Sequence, residues 1–221
     1  MTSSNQLSTE IEYPDADGKP MAESDQACEY LIYGRNVLKS YFQDCSDVYV
    51  SGNLFIYYEQ GNPRAVVAPD VFVVFGVKKG DRRSYKTWEE GNTPDFVLEI
   101  TSKSTQKEDQ EIKPNIYAAL GVREYFQYDP TSDYLYPQLQ GSCLVAGNYQ
   151  PITATTLPNN GCSLFSGVLG LELRLQNGEL RFYDPAKSEI LLTYEEQVQR
   201  SRSLAAKLRE LGIDPDPMSA I

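Results

Sequence analysis

Two stretches decide how this chain reads: Ala65-Val-Val-Ala-Pro-Asp-Val-Phe-Val-Val-Phe75 and Pro94-Asp-Phe-Val-Leu-Glu-Ile-Thr101. Both are rich in β-branched and aromatic residues, the composition of buried strands. Each carries an acid deep in the run, Asp70 in the first and Glu99 in the second. Strand alternation puts Asp95, Val97, Glu99 and Thr101 on one face of the second segment and Phe96, Leu98 and Ile100 on the other. A carboxylate inside a sheet is expensive unless it is paired or metal-bound. Taken singly, either acid reads as a strand-end cap or a lysine partner. On successive strands, followed by a lysine-bearing helix, the two together read as a site.

That helix is expected over residues 106–120, QKEDQEIKPNIYAAL, ending at the C-cap Gly121. It carries Lys113 and, one turn on, Tyr117. Pro114 is an irregularity, because proline disfavours helical geometry in the residue before it and clashes with the carbonyl four residues back. The helix therefore kinks there or begins later, and either re-aims Lys113. Residues 22–43 read as an amphipathic helix, with Glu23, Ser24 or Asp25 near its start. Strands are expected at Val48–Val50, Asn53–Tyr58, Val122–Tyr128, Tyr134–Leu139 and Cys143–Tyr149, then near 169–175 and 180–183. Residues 194–211 form a polar, heptad-like helix with Val198, Leu204 and Leu208, suited to packing or dimerisation. The resulting organisation is an arm over 1–20, one α/β domain with a mixed sheet over 21–193 whose C-terminal half is β-rich, and a terminal helix and tail over 194–221.

The chain has 221 residues and no histidine. That absence removes Ser-His-Asp triads, Cys-His dyads and HExxH zinc sites. Acid–base or metal chemistry has to rest on Asp, Glu, Lys, Tyr or Cys, and hard oxygen ligands favour Mg²⁺ or Mn²⁺ over zinc. Cys28, Cys45, Cys143 and Cys162 form no CxxC pair and read as reduced thiols. No apolar run approaches the roughly 18 residues of a membrane span, and the polar start does not resemble a signal peptide. A cytoplasmic protein with no membrane partner is expected. The net charge of −11 argues against tight, free-standing DNA binding. Local basic clusters remain, Lys78, Lys79, Arg82, Arg83 and Lys86 in one, Lys103, Lys107 and Lys113 in the other. Tyr85 and Trp88 in the first read as base-stacking residues or as loop anchors.

Several strings together resemble the cyanobacterial branch of the Uma-type family within the PD-(D/E)XK nuclease superfamily. They are Ala68–Gly76, Gly80–Glu90, Pro94–Ser102, Asp109 with Lys113 and Tyr117, Gly121–Phe126 and Tyr128-Asp-Pro130. Tyr13–Glu23 and Leu208–Asp216 extend the likeness over almost the whole chain. The resemblance implies a restriction-endonuclease-like αβββαβ core and a metal-dependent endonuclease acting on DNA, plausibly as a homodimer. It implies Asp70 and Glu99 as ligands of Mg²⁺ or Mn²⁺ and Lys113 as the catalytic lysine, moved to the helix from the strand position that Thr101 fills here. Lys103 and Lys107 are alternatives for the lysine role, Glu23 for an additional acid, and Tyr117 for a neighbour of the site. A catalytically silent interaction module with the same fold, or a small-molecule phosphoesterase, stands as the alternative.

Overall fold

The structure is a computed structural model that describes residues 11–15 and 24–215. Ser24 opens the first helix, α1 (Asp25–Tyr41), by accepting a hydrogen bond from the Ala27 N–H. The strands β1 (Val48–Ser51), β4 (Val71–Phe75) and β6 (Phe96–Ile100) follow as an antiparallel meander. Between β1 and β4 lie the two-residue strands β2 (Ile56–Tyr57) and β3 (Val66–Val67). Between β4 and β6 lie β5 (Tyr85–Lys86) and the one-turn helix α2 (Thr87–Glu90). After β6 the chain makes a π-helical turn (Glu108–Ile112), continues as α3 (Lys113–Leu120), and returns as β7 (Glu124–Tyr128), parallel to β6. The order α1-β1-β4-β6-α3-β7 is the expected αβββαβ core.

A hairpin, β8 (Leu139–Val145) and β9 (Asn148–Pro151), extends that sheet to the order β1-β4-β6-β7-β8-β9. Its turn is made by Ala146 and Gly147, both with positive φ, as a tight hairpin requires. The β-rich C-terminal half is a separate antiparallel sheet of β10 (Thr155–Leu157), β11 (Gly161–Ser166), β12 (Leu171–Gln176), β13 (Glu179–Asp184) and β14 (Glu189–Ile190), followed by α4 (Tyr194–Glu210). Among the described residues, no helix is long and apolar enough to cross a membrane.

The side-chain alternation of the central strands divides the core. Val71 and Val73, then Phe96, Leu98 and Ile100, then Phe126 and Tyr128 pack against α1 and the second sheet. Gly34 lets α1 approach closely: a Cβ there would lie 3.1 Å from Val71 Cγ2. Phe72, Val74, Val97 and Tyr125 face the other way, into a cluster with Ile56, Tyr85 and Tyr117. Glu99 and Thr101 lie on this second face, roofed by α3.

The structure corrects several expected strands. The run 65–75 is two elements, because Pro69 has no N–H to give a ladder and the chain turns at Pro69–Asp70. Of 53–58 only Ile56–Tyr57 is strand, and 143–149 contains the turn of a hairpin. Residues 134–138 are irregular, because Asp129 folds this loop back on itself. Its carboxylate accepts the N–H groups of Thr131 (3.1 Å), Tyr134 (3.0 Å) and Leu135 (3.1 Å). Burial alone would raise the Asp129 carboxyl, but these hydrogen bonds hold it below the usual range.

Replacement of Asp129 by Ala strands buried donors and is expected to cost about 2–4 kcal/mol in urea unfolding at pH 7. Because the folded-state pKa is depressed, the stabilisation is present above the free-aspartate value and fades as pH falls through the folded value. The gap between wild type and variant therefore narrows below about pH 4; a gap that stays constant to pH 3 contradicts this role.

Candidate active site

Cross-strand register brings the two acids together. The β4–β6 ladder pairs Val73 with Phe96, Phe72 with Val97 and Val71 with Leu98. One step further places Asp70 opposite Glu99, on the same face as Phe72 and Val97. Residues directly opposed in this way have Cβ atoms about 4.5–5.5 Å apart. The turn at Asp70 is held by Gly52, where a Cβ would fall 2.0 Å from the Asp70 carbonyl oxygen, and by the Asn53 N–H, which donates to the Pro69 carbonyl at 2.8 Å. Asp70 Oδ2 accepts the Ile100 N–H at 2.7 Å, beyond the last ladder pair, and the Asp70 N–H donates to Glu99 Oε2 at 3.4 Å.

Glu99 has no solvent exposure. Its Oε2 accepts from the Lys113 ammonium at 2.9 Å and its Oε1 from the Tyr117 hydroxyl at 2.5 Å. Lys113 and Tyr117 are four residues apart on α3, so both reach the same carboxylate. The π-helical turn makes this compatible with Pro114. Its wider ring closes from the Lys113 N–H to the Glu108 carbonyl, and α3 starts at Lys113, so Pro114 sits in the first helical turn, where its missing N–H is not needed.

The same turn delivers a third acid. Asp109 is 1% exposed. Its Oδ2 accepts from the Thr101 hydroxyl at 2.6 Å, and its main-chain carbonyl accepts from the Tyr125 hydroxyl (2.7 Å) and the Gln127 amide (2.8 Å). Its Oδ1 pairs with Lys113 Nζ at 2.8 Å. Asp109 belongs to the strings that carry the family resemblance but is not among the expected site residues. Its spacing of four from Lys113 was the available signal.

The other expectations separate clearly. Thr101 is buried and touches Asp109 and the Tyr134 hydroxyl, so it orients a neighbour. Lys103 and Lys107 are exposed. Among the described residues, Lys113 is the lysine that contacts Glu99. Glu23 lies outside the described residues. The basic loop is not an open cationic surface: Arg82 pairs with Glu90 and lies 4.1 Å over Tyr49, Arg83 pairs with Asp15, Lys86 pairs with Glu89, and Lys79 donates to the carbonyls of Phe42 and Gln43. Trp88 packs at a tilt against the Tyr13 ring, and Tyr85 is buried with its hydroxyl on the Asn92 carbonyl, so both are anchors.

Lys113 stands among three acids, paired with Glu99 and Asp109 and within electrostatic reach of Asp70. Burial, and then Asp109, push the Glu99 carboxyl upward more strongly than Lys113 and Tyr117 pull it down. Burial alone would lower Lys113; the three carboxylates outweigh it and hold the ammonium charged. No group of three metal-ligating side chains is preformed among the described residues. Two acids opposed across the β4–β6 ladder, one of which already holds a cation in the form of the Lys113 ammonium, nonetheless offer the oxygen ligands that suit one divalent cation keeping part of its water, as Mg²⁺ does.

Because the folded-state pKa of Glu99 is raised, any stabilisation it gives is present below the free-glutamate value of 4.5 and is lost as pH rises through the folded value. Metal-free wild type is therefore expected to lose stability relative to Glu99→Gln as pH rises from the free-glutamate value through neutrality in parallel thermal melts. A wild type that gains on the variant over that range contradicts the assignment.

The model of the Uma2 family, described as "Putative restriction endonuclease", matches residues 15–176. A solved structure of "a putative nuclease belonging to DUF820" from Anabaena variabilis is similar at 12% identity, over 63% of this chain and 75% of that one, with a TM-score of 0.45. A comparison with curated proteins gives no match. The family match spans more than half of the chain and contains Asp70, Glu99, Asp109, Lys113 and Tyr117, and the chain belongs to the Uma2 family.

Proposed function

We propose that the protein is a Mg²⁺- or Mn²⁺-dependent endonuclease that hydrolyses DNA phosphodiester bonds at Asp70, Glu99 and Lys113. The observation that carries this reading is the fully buried Glu99 carboxylate, held by the Lys113 ammonium and facing Asp70 across the β4–β6 ladder, at the position where the family resemblance puts the nuclease site. Asp70 and Glu99 would hold the cation, each already oriented, Asp70 by the Ile100 N–H and Glu99 by Tyr117. A bound divalent cation supplies a water of lowered pKa and offsets charge on the reacting phosphate. Lys113 donates from its charged form, orienting the attacking water or meeting negative charge as it develops on phosphate oxygens. Tyr117 fixes the rotamer of Glu99 and stays protonated, because burial and then Glu99 raise its hydroxyl well above the ordinary value.

DNA as the substrate follows from the family. Lys103 and Lys107, exposed on the segment that leaves β6 beside Glu99, are the residues proposed to meet the backbone phosphates. With a net charge of −11 the rest of the surface repels a polyanion. Binding is therefore expected to be weak and local. A two-fold pair of chains suits the cutting of two strands, and α4, which buries no residue in the single chain, is available for pairing.

Cleavage of supercoiled plasmid in Mg²⁺ or Mn²⁺ is the test. Asp70→Ala and Glu99→Ala are expected to abolish nicking, and Lys113→Ala to slow it by roughly 10²–10³-fold. Chelation should stop the wild type. Equal residual cleavage in wild type and all three variants removes the assignment and leaves a silent module of the same fold.

A further inference from the structure

Lys113 Nζ stands between two carboxylates, 2.9 Å from Glu99 Oε2 and 2.8 Å from Asp109 Oδ1. The two are built differently. Glu99 faces Asp70 across the sheet. Asp109 lies in the π-helical turn and is fastened at both ends, by Thr101 on Oδ2 and by Tyr125 and Gln127 on its carbonyl. Its Oδ1 is buried and paired with the ammonium, leaving Lys113 with one acid on each side. A lysine that lost Glu99 and had no second acid would be a nearly buried cation beside another cation, an arrangement whose desolvation nothing offsets.

Resting on the cation site proposed above, we propose that Asp109 is a positioning residue for Lys113. In the metal-free protein the Lys113 ammonium stands in for the cation at Glu99. When Glu99 takes a divalent ion, Lys113 gives up Glu99 Oε2 and keeps Asp109 Oδ1 as its partner. Asp109 thus lowers the resistance of Lys113 to displacement and keeps it within reach of the site. Its influence on cation binding passes through Lys113.

Titration calorimetry with Mn²⁺ alone, on the full chain at one pH, separates the possibilities. Wild type is expected to bind one ion and Glu99→Gln none. Asp109→Asn, which keeps an acceptor for Thr101, should bind roughly tenfold more weakly, because Lys113 then clings to Glu99. Lys113→Met should bind as tightly as wild type or tighter. In the double variant the Asp109→Asn effect should vanish to within about threefold of Lys113→Met, the signature of action through a shared partner. An Asp109→Asn weakening that persists in the Lys113→Met background makes Asp109 a direct ligand and overturns the proposal while leaving the cation site standing. Unchanged affinity in Asp109→Asn also overturns it. Absent Mn²⁺ binding in wild type, or equal binding in Glu99→Gln, removes the cation site itself and the proposal with it. Thermal melts check folding. Should Asp109→Asn not fold, Thr101→Val loosens Asp109 without changing charge, and is expected to weaken Mn²⁺ binding about threefold only while Lys113 is present.

Discussion

A carboxylate in the middle of a sheet gives up its hydration, and its neighbours have to make good the loss. Glu99 is fully buried in β6, and much of the local structure follows from that. α3 starts where it does so that Lys113 and Tyr117 both reach one carboxylate. The π-helical turn before it sets the phase of the helix and buries Asp109 on the far side of the same ammonium. Asp70 closes the site from β4, tied to β6 by the Ile100 N–H. Burying Glu99 and Asp109 on one ammonium costs desolvation, and ion-binding sites carry such a cost at the expense of stability.

The strand alternation of Pro94–Thr101 was enough to place Glu99 and Thr101 on one face, and the apolar run around Asp70 was enough to make a neighbouring strand. What the linear pattern lacked was register. The opposition of Asp70 and Glu99 depends on β4 and β6 pairing Val71 with Leu98, which no local signal specifies. Pro114 is the clearest case of local reasoning meeting tertiary structure. It correctly signals an irregular helix: the helical run still starts at residue 106, as expected, and the irregularity is the π-helical turn over Glu108–Ile112. The π-helical turn that preserves the aim of Lys113 has no signature in composition. Asp109 was hidden for the same reason, since its burial depends on that turn and on Tyr125 and Gln127 from β7.

The basic loop shows the opposite lesson. Five cations within nine positions suggested a surface for phosphate, yet most are engaged with neighbouring acids, carbonyls or rings. They fasten the small sheet of β2, β3 and β5 and the segment Tyr13–Asp15 to the core. Charge density along a sequence says little about free charge on a surface when acids are as abundant as they are here. Among the described residues, Lys103 and Lys107 are exposed on the segment between β6 and the π-helical turn.

The account stands on one ion sitting between Asp70 and Glu99. The most direct measurement is a crystal structure of the protein soaked in Mn²⁺, with anomalous scattering recorded at the manganese edge. A single strong peak about 2.0–2.5 Å from a carboxylate oxygen of each residue is the predicted result, with Lys113 Nζ withdrawn from Glu99. Density that leaves Lys113 on Glu99 and shows no manganese between the two acids would contradict it.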